Sequence, residues 1–171
     1  MKKIVFACFA LVACAVLAKD TEIMDIRPSD EAVKGAPSAV DWQKRHAAEL
    51  AAAVAPVALK ALVTDAKKAD ALCAAVQPAY YTDPLKAHQL AAATQFVMAP
   101  GAAAADRRLW VGALLKAGQA AKDESVKQFF LDQLRWCACE KDLAAIAAIA
   151  GDSAKLKPFA EMIARDLKGT K

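Results

Sequence analysis

Residues that interrupt helices are scarce in this chain. Of its 171 residues 6 are glycine and 7 are proline, and aromatic residues make up 6%. This scarcity excludes a collagen-like chain and low-complexity disorder. About a quarter of the residues are alanine, which is the best helix former and a poor strand former, and this excludes a strand-rich sandwich. We therefore expect an all-α protein, and the length allows about one domain.

The chain also lacks a strong excess of either charge. Lys and Arg number 23 against 19 Asp and Glu, so the formal net charge is +4, and part of this excess lies in Lys2 and Lys3. Arg107-Arg108 forms a small basic spot that is insufficient as the electrostatic footprint of a nucleic-acid site. The charge balance requires no anionic lipid surface, and we expect no nucleic-acid partner.

The first 18 residues have the pattern of an export signal. Lys2 and Lys3 precede an uncharged apolar run, residues 4–17, and Val16 and Ala18 are the small residues of a signal-peptidase site. The run is shorter than the about 20 residues that a transmembrane helix needs. We expect residues 1–18 to be a cleaved signal peptide, and the protein to be exported to the periplasm or secreted.

A second maturation route is encoded in the same segment. Residues 11–14 (Leu-Val-Ala-Cys) resemble a bacterial lipobox, in which the cysteine is acylated and becomes the first residue of the mature protein. Cleavage there leaves a signal of residues 1–13 only, and the apolar residues 15–18 are unusual for a lipoprotein tether. We favour soluble export, with a lipid anchor through Cys14 as the alternative.

The rest of the chain divides into a linker and a helical domain. Residues 19–37 contain glycine, proline and alternating charges without a sustained apolar period, as linkers do. From Ser38, a good N-cap, apolar residues recur at helical spacing through residues 38–171. Start signals at Asp83-Pro84 and Asp123 and the stop-and-cap pair Gly151-Asp152 separate about seven or eight helices.

Short connections between these helices predict how they pack. They force successive helices to run antiparallel, and hairpins stacked side by side bury one continuous core. Gly112 and Gly118 lie inside a predicted helix, and we interpret both as sites of close helix approach. The residues predicted to share the core are Phe130, Leu134, Leu143, Ile146, Phe159 and Ile163.

One stretch resembles a known repeat family. Residues 126–137 (VKQFFLDQLRWC) form one helical segment, and after a tight turn residues 142–152 (DLAAIAAIAGD) form a second that closes with a short acidic turn. Over residues 123–167 this order resembles the HEAT-repeat superfamily, especially its alanine-rich exported bacterial forms. The resemblance implies a short α-solenoid of stacked antiparallel helix pairs, and it implies little about function.

Residue types that catalyse reactions or bind metals are few and scattered. The two histidines, His46 and His88, fall on separate helical segments without metalloprotease spacing, and we expect both near a helix surface. The sequence has no phosphate-binding glycine loop, nucleophile-elbow serine or dinucleotide fingerprint. We therefore predict a protein that is not an enzyme and has no catalytic residue, metal site or cofactor.

Three of the five cysteines lie outside the signal, at Cys73, Cys137 and Cys139. This odd count allows at most one intramolecular bridge. Cys137 and Cys139 flank a single residue, which is not the spacing of a zinc knuckle. We interpret the three cysteines as small buried residues, with a disulfide from Cys73 to one of the other two as the alternative.

The tryptophans Trp42, Trp110 and Trp136 are spread one per helical region, and we predict that they pack in the core. Tyr80-Tyr81 precedes a helix start, and we expect this pair to cover a helix end, with a role in a binding surface as the alternative.

Binding is the function that these features favour. We expect a non-enzymatic exported helical-repeat protein that binds or scaffolds a protein partner in the bacterial cell envelope, through residues that the sequence does not identify. The alternative is an accessory or enzymatic protein that acts on an envelope polymer or small ligand through a pocket between helices. A contiguous exposed apolar or aromatic patch favours the first, and a deep pocket with converging polar groups favours the second.

Overall fold

The structure is a computed structural model that describes residues 44–79 and 85–169. All of them lie in the second of the two units into which the chain divides, Gly35–Lys171. The expected signal peptide, the linker and the acylation candidate Cys14 lie outside the described residues, so these three assignments stay predictions.

The described residues form eight α-helices and contain no strand, which confirms the all-α prediction. One turn of 3₁₀ helix, Glu140–Asp142, precedes the seventh helix. In chain order the helices are α1 (Ala47–Ala53), α2 (Pro56–Val63), α3 (Ala66–Ala79), α4 (Leu85–Met98), α5 (Ala104–Ala120), α6 (Glu124–Cys137), α7 (Leu143–Ala150) and α8 (Leu156–Gly169).

The predicted cap of α6 is confirmed. The carboxylate of Asp123 accepts hydrogen bonds from the backbone N–H groups of Ser125 (2.8 Å) and Val126 (3.1 Å), two donors that have no partner inside the helix. Pro56 stands at the first position of α2, where a backbone N–H would have no partner within the helix. Its ring prevents α1 from continuing into α2.

The connection between α7 and α8 differs in part from the prediction. Gly151 ends α7 with a φ of 54°, a left-handed conformation that suits glycine. The cap of α8 is Ser153, whose Oγ accepts from the backbone N–H of Leu156 at 3.3 Å, so the prediction of Asp152 is wrong. The Asp152 carboxylate pairs instead with the Lys157 ammonium group at 3.3 Å.

The helices contact one another in a regular order. From α2 onward each helix contacts the next helix along the chain and the one after it. The first helix, α1, contacts α2 and α4, so α1 and α2 lie against the same neighbour on either side of Pro56.

Buried apolar side chains from α2 to α8 form one cluster. Of the six predicted core residues, Leu143 is only partly buried and Phe159 packs against the cluster from its edge. The four that are confirmed as fully buried are Phe130, Leu134, Ile146 and Ile163.

The two glycines inside α5 differ in their surroundings. A Cβ atom built on Gly118 would lie 2.8 Å from Cδ1 of Ile149 and 3.3 Å from Cβ of Phe130, so the prediction of close helix approach is confirmed there. For Gly112 the same prediction is wrong, since a Cβ atom would meet nothing within 4 Å.

This difference predicts opposite effects of the same substitution. Gly112→Ala is expected to stabilise the protein by about 0.5–1 kcal/mol, because alanine restricts the unfolded chain and meets no neighbour. Gly118→Ala has the same helical gain, but its Cβ crowds the buried side chains of Ile149 and Phe130, at a cost of about 1–3 kcal/mol. Urea unfolding followed by far-UV circular dichroism measures both, and equal values would contradict the close contact between α5 and α7.

Candidate functional site

Arg107, in the first turns of α5, supports the end of α6. Its Nε donates a hydrogen bond to the Cys137 carbonyl at 2.8 Å, and its Nη2 donates to the Ala138 carbonyl at 3.4 Å. The last carbonyls of a helix have no partner within it, and a cation is favourable at this end of the helix dipole. The basic spot seen in the sequence is therefore a contact between helices.

Arg108 contacts the connection that follows α6. Its Nη1 donates to both carboxylate oxygens of Asp142, at 2.7 and 2.9 Å. Asp142 is 2% exposed and also accepts from the backbone N–H of Cys139 at 3.0 Å and from its thiol at 3.3 Å. Burial by itself raises the pKa of the Asp142 carboxyl group, but the hydrogen bonds from Cys139 and Arg108 outweigh burial and lower this pKa.

The three described cysteines are free thiols in two different environments. Cys73 and Cys137 are buried, as predicted, and burial raises the pKa of each thiol to about 12, which leaves them protonated and unreactive. The prediction of burial is wrong for Cys139, which is exposed because it stands after the end of α6, where it caps the 3₁₀ turn.

The two histidines lie far apart in sequence, as expected, on α1 and α4. His46 stands at the start of α1 with its Nδ1 2.9 Å from the Glu49 carboxylate, and burial lowers the pKa of His88. Among the residues described, no group of three or more His, Cys, Asp and Glu side chains could hold a metal ion.

The two described tryptophans have opposite environments. Trp110 is fully buried, as predicted, and its indole N–H donates to Oγ1 of Thr94 at 3.0 Å. Trp136 is 52% exposed, so its prediction as a core residue is wrong, while Trp42 lies outside the described residues. A helix turns by about 100° per residue, so Trp136 points well away from Cys137, the buried residue that follows it.

A guanidinium contacts the exposed Trp136 ring. The Arg135 guanidinium carbon lies 5.8 Å from the ring centroid, within cation–π distance. Nε of Arg135 also donates to the Asp166 carboxylate of α8 at 3.0 Å, so the charge of Arg135 is already compensated. The ring is thus exposed next to a guanidinium that α8 fixes in place.

Two polar side chains share the Trp136 side of α6. Asp132 and Gln133 precede Trp136 by four and three residues, the spacings at which side chains are neighbours on a helix. Gln133 is 7% exposed, and its carboxamide has no hydrogen-bond partner in the described part of the chain. No fully enclosed side-chain nitrogen or oxygen in that part lacks a partner, so this carboxamide reaches the solvent.

Asp132 lies on the surface of α6 and forms no ion pair with the described residues. Partial burial raises the pKa of its carboxyl group, and the nearby charge of Arg135 opposes this shift only in part. We call Asp132, Gln133 and Trp136 together the α6 face.

A groove of about 330 Å³ lies between α3 and α5. Alanine side chains form most of its wall, and its polar groups are Asp70 and Lys116, which pair with each other at 2.6 Å. This groove does not have the converging polar groups that a ligand pocket needs.

The comparisons with known proteins give no relative. No family model, curated protein or solved structure matches the chain. Within residues 44–79 and 85–169, every helix is too short or too polar to cross a membrane.

Proposed function

We propose that the chain is a short α-solenoid of the HEAT type, in which α2–α3, α4–α5 and α6–α7 are three stacked helix pairs and α8 is the terminal cap. The contacts between each helix and the second helix after it support this arrangement, since stacked pairs contact only their neighbours. The starts of α4 and α6 are about 40 residues apart, near the period of about 40–47 residues in HEAT repeats. The interval from α6 to α8 is shorter because α7 is short.

Polar contacts between successive pairs give further support. Lys60 of α2 reaches Asp106 of α5 at 2.6 Å, and Arg108 of α5 reaches Asp142 before α7. Both contacts lie where a pair reverses direction, and both join one pair to the next. They fix the pairs relative to one another, as a rigid binding surface requires.

The proposed function is to bind a protein partner in the bacterial cell envelope, without catalysis, at the α6 face. The observation that carries this function is the exposure of Trp136, since Trp is enriched at protein interfaces and among their hot spots. The helix that carries it contacts α4, α5, α7 and α8, so the ring is presented from a rigid support. Such preorganisation lowers the entropy lost on binding.

The location in the envelope rests on residues 1–18 and their export pattern. Soluble export and a lipid anchor through Cys14 both deliver the helical domain to the envelope, so the proposed function holds for either route.

Site-specific photo-crosslinking tests this proposal in the producing cell. A photoreactive amino acid at Gln128, which lies on the same row of α6 as Asp132 and Trp136, is expected to give a discrete protein adduct. Trp136→Ala in the same chain should abolish the adduct, because the aromatic anchor is lost. The same photoreactive residue at the exposed Lys67 of α3 is the control and should give none.

Adducts of equal yield at both positions would show non-specific contact and contradict the proposal. An adduct at Gln128 that is unchanged by Trp136→Ala would show that the partner does not bind the α6 face.

A further inference from the structure

The charges around Trp136 indicate what kind of partner side chain the α6 face binds. Arg135 pairs with Asp166 at 3.0 Å and its charge also acts on Asp132, so one guanidinium lies near two carboxylates. Asp132 forms no ion pair within the described residues, and it lies one helical turn from the ring. The local balance is therefore negative, and the charge that complements it is positive.

The three side chains of the α6 face provide different contacts to one basic side chain. The exposed ring of Trp136 provides an apolar surface for an aliphatic stem. Asp132 provides a carboxylate for the charged head. The Gln133 carboxamide, which is 7% exposed and has no partner in the described part of the chain, can pair with a peptide group because it has the same donor and acceptor.

From this juxtaposition we infer that the α6 face binds a lysine or arginine side chain in a peptide segment of the partner protein. This inference rests on the proposed partner-binding function and names the chemistry of the partner. Partial burial raises the pKa of the Asp132 carboxyl group, and a cation beside this group would favour its charged form.

An acidic or purely apolar partner segment fits this face less well. A carboxylate placed on Trp136 would meet the unpaired charge of Asp132. An apolar side chain alone would cover the Asp132 carboxylate without adding a positive charge beside it, which is unfavourable.

Peptide binding measured by NMR tests the inference on the protein purified from the producing cell. The probe is a blocked pentapeptide, Gly-Ala-Lys-Ala-Gly, and the matched controls carry norleucine or glutamate in place of its lysine. The lysine peptide is expected to shift the indole N–H signal of Trp136 in a saturable way, with the signal of the buried Trp110 unchanged. The norleucine and glutamate peptides are expected to bind at least about tenfold more weakly, since both lose the charge-assisted contact.

Substitutions assign the contacts. Asp132→Asn keeps the shape of the side chain and is expected to weaken binding of the lysine peptide by about threefold to tenfold. The same substitution should leave binding of the norleucine peptide unchanged. Trp136→Ala should abolish binding, followed through the side-chain amide signal of Gln133. Thermal unfolding checks that both variants are folded.

Two results overturn the inference. One is the absence of a saturable shift with the lysine peptide, and the other is equal binding of the lysine and norleucine peptides. Failure of this inference can be distinguished from failure of the proposed function. An adduct in the cell that is lost in Trp136→Ala, together with equal binding of the lysine and norleucine peptides, would support partner binding and contradict the basic side chain.

Discussion

Trp110→Ala is expected to lower the free energy of unfolding by about 3–5 kcal/mol, the range for removing a large aromatic side chain from a packed core. Trp110 is fully buried in α5, and α5 contacts five other helices from α2 to α7. The substitution also removes the hydrogen bond from the indole to Thr94, whose own hydroxyl donates to the Leu90 carbonyl at 3.2 Å. Urea unfolding at neutral pH, followed by far-UV circular dichroism, measures the change.

Trp136→Ala is the matched control, because it deletes the same side chain at a position that is 52% exposed. Its cost is expected to stay below about 1 kcal/mol, as for most surface substitutions. Similar losses for the two variants would contradict the opposite environments of Trp110 and Trp136. The same variant abolishes partner binding under the proposed function, so a folded but inactive Trp136→Ala protein separates binding from stability.

The helices could be predicted from the sequence because their signals are local. Alanine content, the cap at Asp123 and the glycine at Gly151 act within a few residues of the chain. The prediction of the last cap failed by one residue because Asp152 and Ser153 are both good N-caps. Which of the two residues caps α8 depends on where the helix starts.

The contacts between helices were not predictable in the same way. The sequence indicated only a basic surface spot at Arg107 and Arg108. Their hydrogen-bond acceptors lie about thirty residues further along the chain, at Cys137, Ala138 and Asp142. Nothing in the local pattern around an arginine distinguishes a solvated side chain from one that holds a distant turn.

The exposure of Trp136 was not predicted, although part of the signal for it is present in the sequence. Trp136 lies within an apolar segment, and apolar spacing alone assigned it to the core. The buried residues Phe130, Leu134 and Cys137 define the inner side of α6, and at about 100° per residue Trp136 falls outside that side. A helical projection of residues 124–137 places it at the edge of the apolar side, close to the partly buried Phe129. The state of Gln133 depends on tertiary packing and had no such signal.

Asp142 is expected to contribute strongly to stability, because its carboxylate joins α5 to the turn before α7. In Asp142→Ala the Cys139 backbone N–H loses its acceptor at 3.0 Å, and the capping interaction of the 3₁₀ turn is lost with it. Hydrogen bonds to a charged group contribute about 1.5–3 kcal/mol, and a lost cap costs about 0.5–2 kcal/mol. The free energy of unfolding should therefore fall by about 2–4 kcal/mol in urea unfolding at pH 7.

Asp70→Ala is the matched control, since Asp70 also pairs with a basic side chain, Lys116, at 2.6 Å, but both partners are on the surface. Surface pairs contribute about 0–1 kcal/mol. A loss in Asp142→Ala that is no larger than in Asp70→Ala would show that the turn is held by its backbone alone.

The effect of Asp142→Ala should also depend on pH. The pKa of Asp142 in the folded protein lies below its ordinary value of 3.8, so the unfolded chain binds the proton first as the pH falls. The stability that Asp142 contributes is then fully present above about pH 4 and is lost as the pH falls through the folded pKa. The difference in unfolding free energy between the unsubstituted protein and Asp142→Ala should be largest near pH 7 and should shrink below about pH 4. A difference that stays constant from pH 7 to pH 3 would mean that the carboxylate form of Asp142 is not what holds the turn, and the contact with Arg108 would then contribute nothing through its charge.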